Sequence, residues 1–228
     1  MTARARKTPI KKANHVALQQ LPASVRMSDA DLARARRVLM RADPKLGELI
    51  KRVGRCEIIA ARARPPFESL VRIILSQQLS GKVADVIFER VAVLVGGVEA
   101  MSATTILAVS PDAFRKAGVS GPKISYLRDL AERVADGRLP LDHLETMTDL
   151  EVAEAITSVK GLGRWSADMF LMFRLNRPDI LPVGDLGIVK GVQKLFGMKS
   201  MPKPKTMERL TRGWRPYRTV ACWYLWRV

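Results

Sequence analysis

The stretch from Thr157 to Asp185, TSVKGLGRWSADMFLMFRLNRPDILPVGD, carries a two-glycine turn and ends on a carboxylate with basic and apolar surroundings. Beyond Asp185 the chain holds ten Lys or Arg and one acid, Glu208. A carboxylate fixed in so positive a region can stabilise a cation that develops on a polyanionic substrate. The whole chain agrees with that reading: 39 Lys and Arg stand against 22 acids over 228 residues, a formal net charge of +17. Such an excess favours nucleic acid through counterion release and speeds the encounter with it.

The turn VKGLG sits between two apolar stretches, ITSV and WSADMFLMF. Glycines two apart allow a tight turn, so the spacing predicts free amides at Gly161, Gly163 and Arg164, where the next helix begins. Unpaired N–H groups at a helix start seat a phosphate, and Lys160 and Arg164 add charge beside them. An ordinary corner between helices would carry the same glycines; the flanking cations and the net charge favour a DNA backbone. Asp185 precedes the apolar run LGIVKGVQKLF, where, read by itself, it is an N-cap.

These residues must be positioned by helices. Ser28 with Asp29 and Asp31 reads as a helix start, and a second helix is expected from Pro44 to about Gly54. Pro65-Pro66 breaks the chain, with a core helix from Phe67, and Ser80 caps another that stops at Gly96-Gly97. Further helices fit 102–109, 110–117, 123–136, 148–158, 164–175, 185–196 and 215–226. No period-2 run appears. The expectation is an all-α chain of about ten to twelve short helices, preceded by a basic flexible arm over residues 1–26 with six cations and no acid.

Other chemistries are excluded or disfavoured. Two distant cysteines, Cys56 and Cys222, form no CxxC pair, and two histidines do not make a metal site. The N-terminus has no apolar core of a secretory signal, and no stretch suits a membrane span. A reduced protein of the cell interior is expected.

The runs VKGLGRWSADMFLMF…PVGD, FESLVRIILSQQLSGKVA and WRPYRTVACWYLW together resemble the helix-hairpin-helix (HhH-GPD) base-excision DNA glycosylases, and most closely their alkylation-repair branch, the 3-methyladenine DNA glycosylase II family. The likeness covers residues 30 to 228. It implies two helical lobes, a continuous one over about 67–177 and another joining 27–66 to 178–228, without the N-terminal β-domain of larger members. It implies a catalytic role for Asp185, which keeps the family spacing of twenty residues from Trp165. Gly184 stands where many members carry a second acid. Trp165 replaces the lysine of lyase-type relatives, so no Schiff base forms there, and the abasic site is left uncut.

The resemblance also implies a base pocket built from Trp165 and Met169, where some members have tyrosine, with Tyr217 or Trp214 as a further aromatic wall. Such a wall suits a cationic alkylated purine through stacking and cation–π attraction. Trp223 and Trp226 read as core. Gln78 aligns with the residue that fills the gap left by a flipped base, and Gln77 with its neighbour, although a polar helix end would look the same. No cofactor is required. A structural Na+ or K+ on backbone oxygens of Thr157, Val159 and Leu162 is a family feature that side chains do not reveal. The expected partner is duplex DNA with alkylated bases, bound by a monomer, in the bacterial cytoplasm at the nucleoid or in a eukaryotic nucleus. Mismatched or oxidised bases, or a non-catalytic DNA-binding module, are the alternatives.

Overall fold

The computed structural model describes residues 26–58 and 64–228. The arm expected over residues 1–26 therefore lies outside the description except for Arg26, whose guanidinium pairs with Glu145. Among the described residues there are twelve α-helices and no strand.

Local chemistry accounts for most boundaries. Helix α1 (Asp29–Ala42) opens on a capping box: the Ser28 hydroxyl accepts the Asp31 N–H at 3.2 Å, and the Asp31 carboxylate accepts the Ser28 N–H at 2.9 Å. A cap of this kind is worth about 1 kcal/mol. Helix α2 (Pro44–Val53) starts on Asp43, which accepts the Lys45 and Leu46 N–H groups, and stops at Gly54 with φ 88°. Helix α3 (Pro66–Ser76) begins at the second proline, one residue earlier than expected, because proline fits the first helical turn. Helix α4 (Gly81–Leu94) follows Ser80, whose side chain makes no capping bond. Then come α5 (Ala103–Ala108), α6 (Pro111–Lys116), α7 (Gly121–Ala135) and α8 (Asp149–Thr157).

Helix α9 (Arg164–Met169) widens into a π-turn over Phe170–Arg174 and ends at Asn176, φ 57°, whose Nδ2 donates to the Met27 carbonyl at 3.3 Å. Helix α10 (Leu186–Phe196) begins at Asp185 and stops at Gly197, which is left-handed with φ 65°. Helix α11 (Pro204–Leu210) was not expected from the sequence: it lies in a lysine- and proline-rich stretch and buries only Met207, so it shows no apolar period. Helix α12 (Arg218–Leu225) starts three residues later than expected, after a 3₁₀ turn over Arg212–Trp214.

The most extensive packing sorts the helices into two groups. In one, α3 lies on α4, α7 and α9, α5 and α6 lie on α7, and α8 lies on α9. In the other, α1, α2 and α12 pack together and α10 covers α2 and α12. The buried residues nevertheless form one continuous apolar cluster. The strands of chain joining the groups are tied by backbone bonds, Met27 N–H to Asn176 O at 3.2 Å and Thr219 N–H to Pro178 O at 3.0 Å. The two thiols are unpaired and buried, and burial pushes Cys56 up to about 11 and Cys222 higher. Neither is a reactive nucleophile.

Candidate active site

Asp185 stands where the chain passes from the first group back to the second. The loop before it is anchored by a buried ion pair: Arg218 donates through Nε to Asp179 Oδ1 at 2.6 Å and through NH2 to Oδ2 at 2.8 Å. Thr219 Oγ1 accepts the Ile180 N–H at 2.9 Å and donates to the Arg177 carbonyl at 2.6 Å. Arg218 and Arg215 both pair with Asp179, and Asp185 is left to other donors.

Those donors are a backbone amide and two indoles. Asp185 Oδ1 accepts the Ile188 N–H at 2.8 Å, the N-cap bond, and the Trp226 Nε1–H at 2.9 Å. Oδ2 accepts the Trp165 Nε1–H at 2.8 Å. Neutral donors fix the carboxylate without cancelling its charge, which is what electrostatic stabilisation of a developing cation requires. Capping and exposure of charge coexist on one side chain, because the carboxyl group remains half-buried with its second oxygen held only by Trp165.

Trp165 also forms a wall of a cavity of about 420 Å³, with Met169, Phe170 and Phe173 from the same helix and π-turn. Phe173 in turn stacks on Trp226, centroids 5.7 Å apart and planes 22° from parallel. Two aromatic residues thus link the cavity to Asp185, one by touching both and one through Trp226. The expected pocket residues Trp165 and Met169 are brought together here. Trp214 is not among them: it is 1% exposed, stacks on Phe196 and donates to Asp43 Oδ2 at 3.0 Å, a core residue of the second group. Tyr217 is half-buried ahead of α12 and does not line the cavity. Trp223 is core, edge-on to Tyr224. Trp226, read from sequence as core, is half-buried and holds the carboxylate instead.

At the hairpin only one of the two glycines has an obligatory conformation. Gly161 has φ 78°, and a Cβ there would overlap the Tyr126 ring of α7. Gly163 is extended, with φ −102°, and has open space around its Cβ position. The turn is fastened to α7 by the Lys160 N–H, which donates to Asp129 Oδ2 at 2.7 Å; the same carboxylate accepts Arg133 Nε at 2.9 Å. Burial works to raise the Asp129 pKa, but these donors hold it below the usual carboxylate value. The Lys160 amide is therefore occupied, whereas Gly163, which starts α9, receives no side-chain cap. The Lys160 side chain is exposed. Arg164 is exposed too, but its Nε bonds the buried Asp168 at 2.7 Å. Of the carbonyls named for a cation, that of Val159 accepts the Leu162 N–H at 3.1 Å, while Thr157 and Leu162 flank it in the same turn.

The two glutamines separate. Gln77 is tied down: its Nε2 donates to the Gly161 carbonyl at 2.9 Å and reaches Ser166 Oγ at 3.4 Å, bracing the end of α3 against the hairpin. It is not free to enter a duplex. Gln78 is exposed and has φ 57°, a left-handed conformation that costs a non-glycine residue roughly 1 kcal/mol or more. Lys123 of α7 secures the base of this tip by donating to the Leu75 carbonyl at 2.7 Å. Helix α7 thus positions both projecting elements, the Gln78 tip and the hairpin.

Comparison with known proteins shows the family. A family model described as HhH-GPD superfamily base excision DNA repair protein matches residues 71–216. The chain belongs to the HhH-GPD superfamily. Among relatives, alkylbase DNA glycosidase-like protein mag2 of Schizosaccharomyces pombe is 30% identical over 202 residues, 88% of this chain and 95% of that protein. DNA-3-methyladenine glycosylase 1 of the same yeast is 33% identical over 72% of this chain and 73% of its own length. Among solved structures, the S. pombe 3-methyladenine DNA glycosylase (Mag1) in complex with abasic-DNA superposes with TM-score 0.76 at 32% identity, over 85% of this chain and 95% of that one. DNA-3-methyladenine glycosidase from Bacillus halodurans gives TM-score 0.73 at 40% identity, over 85% and 88% of the two chains.

Within this HhH-GPD chain, sequence reasoning missed Trp226, Phe173, and the Asp179–Arg218 anchor. Each acts across a tertiary distance, Trp226 lying 41 residues from Asp185 and Arg218 39 residues from Asp179. No local spacing announces such contacts.

Proposed function

We propose that this chain is a monofunctional DNA glycosylase that hydrolyses the N-glycosidic bond of alkylated purines flipped out of duplex DNA. The observation that carries the reading is Asp185, held by two indole N–H groups beside an aromatic-walled cavity and paired with no cation among the described residues. Breaking the bond between sugar and base puts positive charge on the sugar, as in other glycoside cleavages. A fixed carboxylate at that point lowers the barrier electrostatically and orients the attacking water. The purine enters between the faces of Trp165 and Phe173, and Gln78, already presented on a strained tip, fills the space the base vacates. The open amides at Gly163 and the start of α9, with Lys160, take a backbone phosphate.

We propose further that the Thr157, Val159 and Leu162 carbonyls, neutral oxygens of the kind that suit Na+ or K+, would hold one of these ions at the turn. Such an ion would add positive charge at the phosphate seat. Exchanging K+ for tetramethylammonium at constant ionic strength is then expected to weaken DNA binding.

Trp165 stands where a Schiff-base lysine would have to be, so the product is an intact strand with an abasic site. Incubating the protein with methylated duplex DNA tests this. Free alkylated purines are expected, with strand breaks only after alkali or heat; nicking without such treatment would contradict the proposal.

A further inference from the structure

The cavity beside Trp165 is not uniformly apolar: its wall from α3 carries Arg72, and that guanidinium is held on three sides. Its Nε donates to Glu68 Oε1 at 2.7 Å, a carboxylate 4% exposed one helical turn earlier. Its Cζ lies 3.4 Å from the centre of the Phe88 ring, and NH1 is 3.9 Å from Asp85 Oδ1. NH2 has no hydrogen-bond partner among the described residues, and the side chain keeps 28% of its surface open. Arg72 is thus a planar fork with its orientation already fixed and donors left over, in a cavity that Arg64 and the Glu145-paired Arg174 also line and whose Trp165, Phe170 and Phe173 walls suit a flat ring. Pre-ordering spares the rotamer entropy that a mobile arginine would lose on binding.

We propose that Arg72 reads the flipped base and selects purines that carry a carbonyl at C6. This rests on the glycosylase reading above. A guanine- or hypoxanthine-type ring offers its O6 acceptor to the free N–H groups, and N7-methylation leaves that oxygen in place. An adenine-type ring presents an amino group there, so donor would face donor. Glu68 and Asp85 offset the Arg72 charge and Glu145 that of Arg174, and the aromatic walls take a cationic ring through its faces.

Duplex DNA treated with dimethyl sulfate contains both 7-methylguanine and 3-methyladenine, so one reaction reports on both, and a hypoxanthine-containing duplex provides a neutral 6-oxo base. Arg72→Lys keeps a cation for Glu68 but loses the planar fork. The variant is expected to lose about tenfold or more in release of 7-methylguanine and hypoxanthine relative to 3-methyladenine, the scale of one specific base contact. An unchanged ratio, with all three rates falling together, would mean that Arg72 only supports the fold. Wild-type protein that releases 3-methyladenine but neither 6-oxo purine would also overturn the proposal while leaving the glycosylase reading intact. Release of no base at all would remove both. If Arg72→Lys melts early, quenching of wild-type tryptophan fluorescence by free hypoxanthine against adenine gives the same comparison, with tighter hypoxanthine binding expected and equal binding contradicting it.

Discussion

Asp185 receives three hydrogen bonds, and the two from tryptophan differ in what their loss should do. Trp226→Phe removes the N–H to Oδ1 but keeps a ring to stack on Phe173. A hydrogen bond to a charged group is worth about 1.5–3 kcal/mol of stability, so the melting temperature is expected to fall by several degrees, and single-turnover base release, measured well below the melt, to slow by roughly tenfold or more as the carboxylate loses its fixed position. Asp168 is a second residue with a measurable signature. Burial raises its pKa to about 6, against the pull of the Arg164 charge. A carboxyl group raised on folding holds its proton longer in the native state than in the unfolded one. The native state therefore loses stability as pH rises from the ordinary value of 3.8 to about 6, by at most about 3 kcal/mol from this group. Comparing melts of wild type and Asp168→Asn across that interval isolates the effect: the gap between them should change within it and stay constant above it. The N-cap at Asp185 was legible from sequence as a local pattern, whereas its catalytic role was implied only by the family resemblance. Its indole partner Trp226 was not, because its role is created by packing.

At the scale of elements, the hairpin shows why two identical residues need not have identical reasons. Gly161→Ala forces a side chain into a left-handed backbone and into the Tyr126 ring, and is expected to cost about 1–3 kcal/mol of stability. Gly163→Ala meets nothing within 4 Å in the free protein. It should leave the melting temperature within a degree or two yet weaken DNA binding several-fold, because the added methyl occupies the approach of a phosphate to the amides. Unchanged affinity for Gly163→Ala would remove the phosphate seat from that turn. The sequence predicted a special turn but could not tell the glycines apart, since the difference lies in what α7 places behind each. The other elements were legible to the extent that caps and apolar periods mark them: α1 and α2 are signalled by Ser28 and Pro44, whereas α11 buries one methionine and sends no such signal.

For the whole molecule, the charge of +17 and the placement of the Gln78 tip and the hairpin on one supporting helix make DNA affinity strongly dependent on salt. If six to ten phosphates are neutralised, raising salt from about 50 to 200 mM is expected to weaken binding by roughly 10³–10⁵-fold, and a titration of affinity against salt gives the number of contacts directly. The all-helical class was readable from the absence of alternation and the frequency of caps. The arrangement of helices into two groups that meet near Asp185 was supplied by the family resemblance, because no single stretch of sequence encodes which helices become neighbours. The account as a whole depends on the charge of that carboxylate. Asp185→Asn keeps an acceptor for the cap and for Trp226, sets its amide NH2 against the Trp165 N–H, and removes the charge, so the decisive measurement is single-turnover release of an alkylated purine by this variant beside its affinity for the same duplex. A fall in rate of about a hundredfold or more, with binding unchanged or tighter, is the expected result; release at close to the wild-type rate would contradict the account.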